Sequence, residues 1–66
     1  MKCKKIFELA KEDGSYKKTI LLTTRYNYFD RKEDWFLVKI ERVLGREIRE
    51  EKKIDEKLGK KLWEEL

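Results

Sequence analysis

The sequence predicts an α+β domain: a small antiparallel sheet of three or four strands, made from an N-terminal hairpin and a third strand, with one C-terminal helix packed on it. Three observations predict it. Asp13-Gly14 sits between two runs of strand-like residues; this pair is a strong hairpin signal, because glycine accepts positive φ without steric penalty. Residues 35–44 are apolar on both sides of a two-residue period, as a central strand should be. Ile54, Leu58, Leu62 and Leu66 recur every four residues and mark one helical stripe. With 66 residues, these elements make a single domain over 1–66.

Residues 4–11 alternate weakly, with Lys5, Phe7, Leu9 and Lys11 on one side and Ile6, Glu8 and Ala10 on the other, which fits a first strand. Glu12-Asp13-Gly14-Ser15 turns the chain. Residues 16–28 are rich in Tyr, Thr, Ile and Leu and read as a second strand. Its even positions, from Tyr16 to Tyr26, look like core. Its odd positions, Lys17, Thr19, Thr23, Arg25 and Asn27, look like solvent, with Leu21 the exception. Asp30 to Asp34 form the next polar loop. In the third strand, over 35–44, Phe36, Val38 and Ile40 line one face while Trp35 and Leu37 line the other. Gly45 breaks or bulges it, and residues 46–49 offer a short fourth strand.

The helix is expected over 52–66. Carrying it back to Ile48 would set Glu51 in the middle of the apolar stripe. Glu56 and Lys60 form an i,i+4 pair in the favourable order. Glu64 and Glu65 crowd the C-terminal end, where the helix dipole disfavours negative charge. That end must either fray or dock against something basic. Trp63 falls roughly 120° from the stripe's centre at 100° per residue.

Composition bounds the rest. Charged residues are 48% of the chain, Gln is absent and Asn27 is the only Asn, as in proteins from thermophiles. A single cysteine, Cys3, excludes an intrachain disulfide, and the lack of histidine excludes a Cys/His zinc site. A domain this small without such reinforcement needs a tight core or self-association, so a homodimer is a fair expectation. No run approaches the roughly 18 apolar residues of a membrane span, so no membrane partner is expected. One free cysteine and no recognisable export signal favour the cytoplasm.

Catalysis has little to stand on. The commonest general base is missing, no glycine-rich phosphate loop occurs, and the carboxylates lack calcium-loop spacing. No catalytic residue, metal or cofactor is therefore expected. Binding is the better reading. Residues 1–32 carry nine Lys/Arg and four Asp/Glu, whereas residues 33–66 carry nine and ten. The basic excess thus lies on the first hairpin and the loop after it. Lys17, Lys18, Arg25, Arg31 and Lys32 are the expected phosphate contacts to DNA or RNA, with Thr23 and Asn27 as secondary contacts able to reach base edges. The alternative is a protein partner, or inhibition of a nucleic-acid enzyme, through an aromatic patch of Trp63, Tyr28 and Phe29, since aromatic residues are favoured interface anchors.

Overall fold

A computed structural model describes residues 2–66. Four strands run as an antiparallel meander in the order β1-β2-β3-β4: β1 (Cys3–Ala10), β2 (Tyr16–Asn27), β3 (Lys32–Val43) and β4 (Arg46–Ile54), followed by helix α1 (Glu56–Glu65). The α+β class expected from the sequence is the one observed.

Each turn has a local cause. At the first, the Gly14 amide donates to the Lys11 carbonyl, and the Asp13 carboxylate accepts from both the amide and the hydroxyl of Ser15. At the second, the Asn27 side-chain oxygen accepts from the amides of Phe29 and Asp30. This Asx turn lets β3 begin at Lys32, three residues earlier than hydrophobicity suggests. The third is a two-residue turn with φ +49° at Leu44 and +82° at Gly45, the primed geometry whose twist suits a hairpin.

Two corrections follow from pairing. The fourth strand is not a four-residue stub; it runs nine residues, Arg46–Ile54, because β3 offers a full ladder from Trp35 to Val43. Ile54 ends this strand opposite Trp35 rather than opening the helix, and Asp55 is the N-cap, with φ −65° and ψ 144°. In β1, the register slips between Lys5, opposite Leu21, and Phe7, opposite Ile20. This β-bulge inverts the alternation: Lys4, Phe7 and Leu9 now share one face, and Lys5 and Glu8 the other. The weak period of residues 4–11 is the mark of that extra residue.

The helix covers only one end of one face. There Trp35 lies between Thr24 and Ile54, next to the row Lys4, Leu22, Leu37 and Lys52. A Cβ on Gly59 would come within 2.5 Å of the Trp35 ring, so only glycine lets the helix lie this close. Trp63 stacks edge-on against Trp35 at 6.3 Å between ring centroids. The acid-rich helix end docks against a base: Lys4 Nζ donates to the Trp63 carbonyl at 3.3 Å and lies 4.2 Å from the Trp63 ring. Among the described residues, Leu22, Trp35 and Val38 are the buried apolar side chains. The shape is a slab of 44 × 25 × 16 Å with a radius of gyration of 13.7 Å, against about 11 Å for a compact chain of this length.

Candidate nucleic-acid interface

The face turned away from the helix is built by the side chains that alternate with the core. Its rows run Cys3, Thr23, Phe36, Lys53; Lys5, Leu21, Val38, Glu51; Glu8, Thr19, Ile40, Arg49; and Ala10, Lys17, Arg42, Glu47. Arg25 opposite Asp34 and Asn27 opposite Lys32 extend it toward the second turn. Together these rows bear seven cations and four carboxylates, the excess lying mostly on β2 and β3. No secondary-structure element of the described residues covers this face. Val38 is nonetheless fully buried, because long charged side chains fold over the apolar centre. Arg25 shows how: its guanidinium lies 4.9 Å from the Phe36 ring and continues across β3 to Glu51 on β4.

Ion pairs organise the charges. Glu8 is shared by Lys5 and Lys17, and Glu51 by Arg25 and Arg49 at 2.5 and 3.4 Å. Arg42 reaches Glu47, and Lys53 reaches Asp34. Hydrogen bonds from Lys5 and then Lys17 hold the Glu8 carboxyl below its ordinary range, so it stays ionised. Two acids thus each neutralise only part of the charge gathered around them.

The residues expected to touch phosphate do not all meet. Lys17, Arg25 and Lys32 share the helix-free face, with Lys17 near one end and Arg25 and Lys32 near the other. Lys18 points to the opposite, helix side, where it lies beside Leu9 and Glu41. Arg31 stands in the second turn with φ +53°. Thr23 is buried, and the Asn27 amide is used up in donating to Asp30 and Asp34. Neither is free to read a base edge. Among the described residues, no carboxylate lies within 4.0 Å of Arg31 or Lys32.

The aromatic residues divide similarly. Trp63 is half-buried on Trp35, with Lys2 and Lys4 against its ring. Tyr28 and Phe29 instead project from the second turn, Phe29 99% exposed, and Tyr28 stacks edge-on with Tyr26 at 5.0 Å. The tip therefore presents bare aromatic rings beside Arg31 and Lys32. Arg42, Arg49 and Lys53 complete the cationic face, although sequence reasoning did not single them out. The parity of the third strand could have found Arg42, on the side of Phe36 and Val38; Arg49 and Lys53 required the register of β4.

Among the described residues there is no group of three or more metal-ligating side chains, and no helix is long and apolar enough to cross a membrane. Comparison of the chain with protein-family models, curated proteins and solved structures found no match.

Proposed function

We propose that this chain is a non-catalytic, cytoplasmic accessory protein that binds DNA or RNA through the helix-free face of its sheet. One observation carries the reading: a whole sheet face without a covering element bears seven cations against four carboxylates. Glu8 and Glu51 each hold two cations, so one of each pair can turn to a phosphate while the acid keeps its other partner. Lys17, Arg25, Arg31 and Lys32 supply the phosphate contacts. Tyr28 and Phe29, bare at the tip, offer rings on which unstacked bases can lie.

The test is a binding titration at several salt concentrations. Four phosphate contacts correspond to a loss of roughly a hundredfold in affinity between about 50 and 200 mM salt, because bound counterions are released. Replacing both Arg31 and Lys32 by Ala should weaken binding and flatten that dependence. No binding to single- or double-stranded probes at low salt rejects the proposal.

The exposure of Phe29 favours a second reading, a protein partner seated on the tip. Phe29→Ala would then remove binding to that partner, while Lys17→Ala and Arg25→Ala would leave it intact.

A further inference from the structure

We infer that a second copy of this chain docks along β1, the two strands antiparallel about a twofold axis between Ile6 and Phe7, joining two four-stranded sheets into one of eight. The sheet order leaves two edges, β1 and β4. They are built differently. Seven of the nine residues of β4 are charged, which is how natural sheets keep an edge from pairing. Only three of the eight residues of β1 are charged, and its Phe7 and Leu9 stay 45% and 53% exposed on the helix side.

Charge selects the occupant. The bulge places Lys5 and Glu8 on the same face, close enough to pair within one chain. A twofold axis between Ile6 and Phe7 sets Lys5 opposite Glu8 of the second copy and Glu8 opposite its Lys5. The strand is thus complementary to itself, and both ion pairs form at once. On the other face, the same axis brings Leu9 against the aliphatic stem of Lys4 and sets Phe7 close to its counterpart. A monomer with three buried apolar side chains among the described residues and an extended slab shape has reason to bury this strip.

Sedimentation of the full chain without nucleic acid tests this separately from polyanion binding, which the salt titration reads. The native chain should sediment as a dimer at micromolar concentration. Lys5→Glu and Glu8→Lys each put like charges opposite one another, so each variant alone should associate at least about tenfold more weakly. Mixed together they should recover dimer, because each then meets its complement across the interface. Leu9→Lys, at an exposed position of a single copy, gives an independent arm that should be folded and monomeric. A monomeric native chain, dimers that persist in these variants, or folded variants whose mixture stays monomeric would each overturn the inference.

Discussion

Under the helix, Trp35 meets Gly59, Trp63 and the Leu22 row, and the chain is held by close apolar packing. At the opposite end, the Leu44–Gly45 turn projects with Leu44 81% exposed, and polar side-chain contacts lead up to it. Lys39 bridges Glu41 and Glu50 at 3.1 and 3.4 Å, and the Tyr16 hydroxyl donates to Glu41 at 3.1 Å. One end is specified by shape and the other by charge. The difference teaches where this slab should tolerate change, and in which direction.

The sharpest way to break the packed end is Gly59→Ala. In an exposed helix this exchange stabilises by about 1 kcal/mol. Here the new methyl group would meet the Trp35 ring at 2.5 Å, and overpacking of this kind costs about 1–3 kcal/mol. Thermal unfolding should therefore show a net loss, together with a change in tryptophan fluorescence. A rise in melting temperature would mean that the helix does not lie on Trp35.

At the charged end the expected sign is opposite. A left-handed conformation strains Leu44 by about 1 kcal/mol, whereas Asn-Gly is the preferred pair for this turn. Leu44→Asn should raise stability by up to about that amount, shifting the melting temperature up by several degrees in a domain of this size. A decrease would show that exposed Leu44 makes a stabilising contact.

The smallest effect is pH dependence, and it belongs mainly to the charged sites. Hydrogen bonds from Lys39 and then Tyr16 hold Glu41 below its ordinary value, and hydrogen bonding to Lys60 does the same for Glu56. A carboxylate depressed on folding contributes stability that is present above its unfolded value and is lost as pH falls through its folded value. Burial, then the bond to Glu41, raises Tyr16, and hydrogen bonds to Glu41 and then Glu50 raise Lys39. Their contributions are present below their unfolded values and are lost as pH rises past them. Melting temperature should hold level from about pH 5 to 9, then decline on either side, and salt should reduce the difference. A profile that stays flat down to strongly acid pH would mean these pairs contribute nothing.

Much of the fold was legible because its strongest signals are local. Asp13-Gly14 marks the first turn, the parity of residues 16–27 separates the two faces of β2, and the leucine stripe identifies a helix. What stayed hidden depends on partners. β4, with Ile48 and Ile54 its only apolar residues, has no strand period of its own; its length comes from the ladder that β3 offers. The bulge in β1 follows from pairing with β2 and cannot be read from residues 3–10 alone. For the candidate site, alternation already sends Lys17 and Lys18 to opposite faces, so that much was available from spacing. That Thr23 is buried and that Asn27 is spent on its own turn became visible only with the neighbouring strands in place.

The bond from Lys4 to the Trp63 carbonyl joins residues 59 positions apart. In a meander each strand pairs only with its sequence neighbours, and α1 adds contacts to β2 and β3. This clasp couples the first strand to the last helix: peeling the helix away also loosens β1. Amide protons in β1 and α1 should then exchange with solvent in one concerted opening.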